Sequence, residues 1–151
     1  MAAACAARAL CAGDRTPAPA RVGAYCYAIP TSPPPVPVVV ARATDLWIAL
    51  DEQTHRFPVA ARASMGRAVT DNAIALMDAL VRAAYAPARS VECTAALREA
   101  NSRLALLRLL VEGAAKRRHL ALDHRDRDFE RMGEIGRMLG GWLRKSTEPA
   151  R

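Results

Sequence analysis

The chain has 151 residues, with 22 Lys+Arg against 15 Asp+Glu, a formal net charge of +7, four Cys and ten Pro. That length suits one domain with a tail and is too short for a TIM barrel or a complete dinucleotide-binding fold. Hydrophobic residues make up 52% but aromatics only 5%, an Ala- and Leu-rich balance that points to helices, away from a β-sandwich, and without the long apolar run of a membrane span.

Proline divides the chain. Pro17, Pro19, Pro30, Pro33, Pro34, Pro35 and Pro37 fall at the start, and only Pro58, Pro87 and Pro149 lie beyond. Thr31 to Pro37 is expected to be extended, because each proline fixes its own φ and turns its predecessor away from helix. Residues 1–40 also lack apolar periodicity. They are expected to be a disordered Pro/Ala-rich tail, or the product of a start codon placed upstream of one near Val38–Val40. Arg8 interrupts the apolar stretch that a secretion signal needs, and Leu10 stands where a lipoprotein site needs a small residue. Cys5, Cys11 and Cys26 sit in this tail; Cys93 stands alone beyond it as an expected small buried hydrophobe. With no C-x-x-C and no zinc-type Cys–His spacing, a cytoplasmic location is expected. Residues 147–151 are expected to be disordered as well.

From residue 42 the apolar period is 3.6, and four helices are expected within a domain spanning 41–146. The first, about Arg42 to Arg56, places Ala43, Trp47, Leu50 and Thr54 on one side, with Leu46 and Phe57 flanking. Phe57-Pro58 breaks it, since proline is tolerated in the first turn of a new helix. The second runs from Pro58 to about Tyr85, with Met65, Val69, Ala73, Leu76, Leu80 and Ala83 as its buried stripe. Ser90 is a candidate N-cap for the third, with Glu92 in the first turn. This helix is expected to reach about Leu122, with Leu97, Leu104 and Val111 on its inner face beside Ala100, Leu107 and Ala114. Its centre, Leu104 to Val111, is apolar nearly all round, which suggests burial against a second molecule as well as the domain's own core. The fourth, about Asp126 to Lys145, turns Phe129, Met132, Ile135, Leu139, Trp142 and Leu143 inward. Four such helices with short connections predict an all-α, up-down-up-down four-helix bundle.

No catalytic signature appears. There is no phosphate-gripping G-x-x-x-x-G-K-[ST], no H-E-x-x-H and no G-x-S-x-G. His55, His119 and His124 have no spacing suited to metal ligation, and no E-x-x-H is present for a di-metal bundle. No enzyme, catalytic residue, metal or cofactor is expected. Asp123, Asp126, Asp128 and Glu130 alternate with Arg125, Arg127 and Arg131 as an expected solvated, self-paired cluster. Lys116-Arg117-Arg118 could complement a helix C-terminus or, with Arg125 and Arg127 across a short connection, form a phosphate-binding patch. Arg118 continues the seven-residue repeat, so its stem is expected along the bundle end. Gly133, Gly136 and Gly140 fall within about 60° on a helical wheel. With Gly141 they make a bare strip that lets another backbone approach: a neighbouring helix, another subunit or a nucleic-acid strand.

The string Glu134-Ile135-Gly136-Arg137-Met138-Leu139-Gly140-Gly141-Trp142-Leu143 resembles the C-terminal end of Avd proteins. These are the accessory variability determinants of diversity-generating retroelements, within a broader four-helix-bundle family that includes proteins encoded in ribosomal RNA intervening sequences. Trp47, then Arg56-Phe57-Pro58, Arg62, Met65 and Gly66, resembles that family's aromatic first helix and F-P-x-x-x-R-x-x-x-G junction. The resemblance spans about residues 42–145; the tail has no counterpart. It implies a cytoplasmic homopentamer, non-catalytic, that binds reverse transcriptase and RNA, or DNA, to support mutagenic cDNA synthesis. The positive surface would fall among Arg103, Arg108, Lys116, Arg117, Arg118, Arg137, Arg144 and Lys145. The alternative is a purely structural protein–protein module without nucleic-acid binding. From residue 41 onward the net charge is only +5, so its placement matters more than its size.

Overall fold

The computed structural model describes residues 37–147, and among them every regular element is helical. The expectations for residues 1–36 and 148–151 lie outside the described residues. No helix among the described residues is long and apolar enough to cross a membrane.

The first helix, α1, spans Val38–Thr54. It begins four residues before the expected start, directly after Pro37, whose carbonyl accepts from Val40 N at 2.8 Å. A proline there gives up no helical hydrogen bond. Val39 and Val40 are buried, so packing overrides the weak helix preference of β-branched residues. Leu46 lies in the core rather than at its flank, whereas Trp47 is half-buried. The chain breaks at Phe57-Pro58 as expected, with Phe57 buried.

Next come α2, a single turn over Val59–Ala61, a π-turn over Arg62–Gly66, and α3 over Arg67–Tyr85. One continuous helix is expected here, and the π-turn interrupts its pattern. At its end, Gly66 is buried against the end of α1, where a Cβ would stand in ordinary contact, 3.4 Å from Thr54 Cβ and 3.7 Å from the Phe57 ring. Ala86 is extended ahead of Pro87 and ends α3.

Helix α4 spans Val91–Lys116 and opens on the expected cap, Ser90 Oγ accepting from Cys93 N at 3.0 Å. It stops six residues short of the expected Leu122. Arg118 adopts φ 59°, while Arg118 N donates to Ala115 O at 2.9 Å and His119 N to Ala114 O at 3.0 Å. This is a Schellman closure with arginine in the left-handed position usually given to glycine. It takes Arg118 out of the helix that carries the seven-residue repeat, and Arg118 is exposed. Leu120 is buried beyond the turn, and α5 begins early, spanning Leu122–Thr147.

Helix α1 packs on α3 and α5, and α4 packs on the same two helices. Thr44 meets Met77 Sδ at 3.6 Å between α1 and α3, and Asn72 Nδ2 donates to Arg103 O at 2.8 Å between α3 and α4. Arg108 Nη2 donates to Met132 O at 3.0 Å, and Cys93 Sγ lies 3.9 Å from Ser146 Oγ, between α4 and α5. The core follows the expected stripes on α3 and α4, with Leu97, Ala100, Leu104, Leu107, Val111 and Ala114 all buried. On α5 the inner face holds Met132, Ile135 and Leu139, but Phe129 is 36% exposed. Asp128 is buried in its stead.

Candidate nucleic-acid interface

Between α4 and α5 runs an open groove of 390 Å³, lined by Leu104, Ala105, Arg108, Gly133, Gly136 and Arg137 among others. Two of the expected cations, Arg108 and Arg137, thus meet two of the expected glycines. The glycines are not equivalent. A Cβ on Gly136 would lie 3.1 Å from Arg108 Nη2 and 3.5 Å from Leu104 Cδ2, so the arginine closes directly over this backbone. A Cβ on Gly133 would lie 3.9 Å from Arg137 Nη1, and nothing stands within 4 Å at Gly140 or Gly141. Close helix–helix contact within the chain therefore accounts for Gly136 alone.

The remaining cations are spread along the bundle. Arg103 lies beside α3, its Nε 2.6 Å from Glu99. Lys116 pairs with Glu112 at 3.6 Å, and Arg117 and Arg118 are exposed at the same end. Arg144 and Lys145 lie in the last turn of α5, about 33 Å along that helix from its start at ~1.5 Å per residue. Arg117, Arg118, Arg137, Arg144 and Lys145 form no ion pair among the described residues. The surface holds a cation pair at the groove and a cluster at each end, rather than one patch.

The alternating charges at the start of α5 divide in two. Arg125 is self-paired, 2.6 Å from Asp126 and 3.7 Å from Glu112, and its hydrogen bond to Asp126 pushes its pKa up. Asp128 is not solvated as expected: its exposure is 0%. Gln53 Nε2 from α1 and Arg131 Nη1 each reach its Oδ1 at 3.4 Å, while Asp128 Oδ2 and Gln53 Oε1 have no partner. Burial pushes the Asp128 carboxyl above the usual carboxylate range, against the opposing pull of Gln53 and Arg131. The sequence did hold a signal for this burial, since Asp128 stands four residues before Met132, in register with Ile135 and Leu139.

The His119 ring packs against Phe57, centroids 5.9 Å apart and planes tilted by 40°. Among the described residues no group of three or more His, Cys, Asp or Glu is placed to hold a metal ion. Leu106 and Leu109 on α4 are 43% and 71% exposed, forming the second apolar face expected of that helix. No protein-family model matches the chain, and no curated protein or solved structure is significantly similar to it.

Proposed function

We propose that the chain is a non-catalytic, cytoplasmic, up-down-up-down four-helix bundle that self-associates and binds RNA together with a reverse transcriptase, as an Avd-like accessory protein of a diversity-generating retroelement. The observation that carries it is the groove where Arg108 and Arg137 flank Gly133 and Gly136. Arg108 covers Gly136 and is held on Met132 O, whereas Gly133 leaves bare backbone beside Arg137. Arg137 forms no ion pair among the described residues. That combination suits a phosphodiester backbone, which needs close approach and N–H donors together. Exposed Leu106 and Leu109 support self-association, with a pentamer as the expected size.

Light scattering after size exclusion tests the assembly, and a monomer at micromolar concentration would sink it. RNA affinity should fall steeply with log salt. Charge reversal of Lys116, Arg117 and Arg118 should weaken RNA binding while leaving the oligomer intact. A second reading, a structural module without nucleic acid, is favoured by the pairing of Arg103 with Glu99 and of Lys116 with Glu112. It predicts no effect of that reversal.

A further inference from the structure

A smaller cavity of 140 Å³ opens between α1 and α5, lined by Glu52, Gln53, Arg56, His124, Arg127 and Arg131, with Ala49. Of these, Arg127 alone is among the cations that the sequence suggests for phosphate contact, as an extension of Lys116-Arg117-Arg118; Arg56 and Arg131 are not. Gln53 is in the last turn of α1 and Arg56 lies in the turn just beyond its end at Thr54; His124, Arg127 and Arg131 follow spacings of three and four on α5. The α5 set therefore shares one helix face, and packing brings it together with Gln53 and Arg56.

The cavity's charges are poorly matched. Three arginines line the cavity with one carboxylate, Glu52; Arg131 pairs with Asp128 at 3.4 Å, and neither Glu52 nor Arg56 forms an ion pair among the described residues. Arg127 bonds only neutral acceptors, Asp123 O at 3.1 Å and His124 Nδ1 at 3.2 Å. A guanidinium has no lone pair to offer, so His124 Nδ1 is the acceptor there and its Nε2 carries the remaining donor. Behind the cavity, buried Asp128 holds both Gln53 and Arg131 through Oδ1, fixing two lining side chains.

We propose that this cavity between α1 and α5 binds a phosphate group through Arg56, Arg127 and Arg131. The 140 Å³ space is roughly ten times the ~10–15 Å³ that admits a single water, so it has room for a small polyatomic anion. One arginine fork satisfies a carboxylate, whereas three arginines lining one cavity match a tetrahedral anion with more oxygens and more charge. An RNA phosphodiester as the source rests on the proposed function; a free phosphate does not.

The test uses the full chain and the double variant Arg56→Gln/Arg127→Gln, both exposed positions, with Arg82→Gln/Arg98→Gln, two exposed cations outside the expected RNA surface, as the charge-matched control. Circular dichroism melts confirm that each variant is folded. Inorganic phosphate is titrated while the arginine Nε–Hε resonances are followed, and a short fluorescein-labelled single-stranded RNA is titrated by anisotropy at several salt concentrations. The expected result is phosphate-dependent shifts of the Arg56 and Arg127 signals, absent in the double variant. RNA affinity should drop at least about tenfold, and the salt slope should shrink by about 0.7 for each phosphate no longer neutralised. RNA binding with unchanged affinity and slope in the double variant, and no phosphate shifts in the parent, overturns this site and leaves the RNA reading standing. Phosphate shifts without any RNA binding keep the site, assign it to free phosphate, and remove the RNA reading. Binding of neither probe removes both.

Discussion

Replacing Asp128 with Asn separates two states of a buried carboxyl. In the ionised form, Asp128 Oδ2 and Gln53 Oε1 are both buried acceptors without donors. A proton on Oδ2 removes the buried charge and turns one of these acceptors into a donor, and the amide of Asn does the same at nearly the same volume. Each buried acceptor left unpaired costs about 1–3 kcal/mol, a sizeable part of a domain stability of about 5–15 kcal/mol. Because burial raises the Asp128 pKa, the folded state binds its proton more tightly than the unfolded state. Its contribution is therefore largest below the ordinary carboxylate range and declines as pH rises through the folded-state value. The difference in stability between parent and Asp128→Asn isolates this group from the other carboxylates. Urea unfolding followed by circular dichroism from pH 4 to 8 should show the Asn variant gaining on the parent as pH rises. At neutral pH it should match the parent or exceed it by up to about 1–3 kcal/mol. Asp128→Ala should instead be destabilised at every pH, because Gln53 then loses its partner and a cavity opens. If the parent gains on the Asn variant with rising pH, the fold prefers the carboxylate and the reasoning fails.

Three further outcomes are expected. Arg118→Gly should raise stability by about 1 kcal/mol, since glycine takes the left-handed position without the clash of a Cβ; a lower melting temperature would contradict the Schellman assignment. Gly140→Ala should stabilise by up to about 1 kcal/mol through helix preference, as a Cβ there meets nothing within 4 Å, and any accompanying loss of self-association or RNA binding would mark the strip as a docking face. Leu109→Glu should leave the fold intact by circular dichroism yet shift the light-scattering mass toward the monomer; an unchanged mass would exclude this face from assembly.

Several features could be read from local pattern alone. The cap at Ser90, the break at Phe57-Pro58 and the core stripes of α3 and α4 rest on interactions within a turn or two, and the residues specifying them are adjacent in the chain. The cation positions were legible, but not their grouping, since Arg108 and Arg137 share a groove only because α4 and α5 pack together. The early start of α1 and the early end of α4 escaped the same reading. Val39 and Val40 become helical because other helices bury them, and α4 stops at Lys116 because Leu120 has a place in the core.

Sequence by itself thus determined a helical chain, its major breaks and most of its buried apolar face, because helical periodicity and proline geometry act over a few residues. The tertiary structure decided what lies between the helices. It drew Asp128 out of a charged run into the core, and gathered Gln53 and Arg56 opposite His124, Arg127 and Arg131. Burial and charge convergence of that kind are set by the neighbour a helix face receives, which its own spacing does not specify.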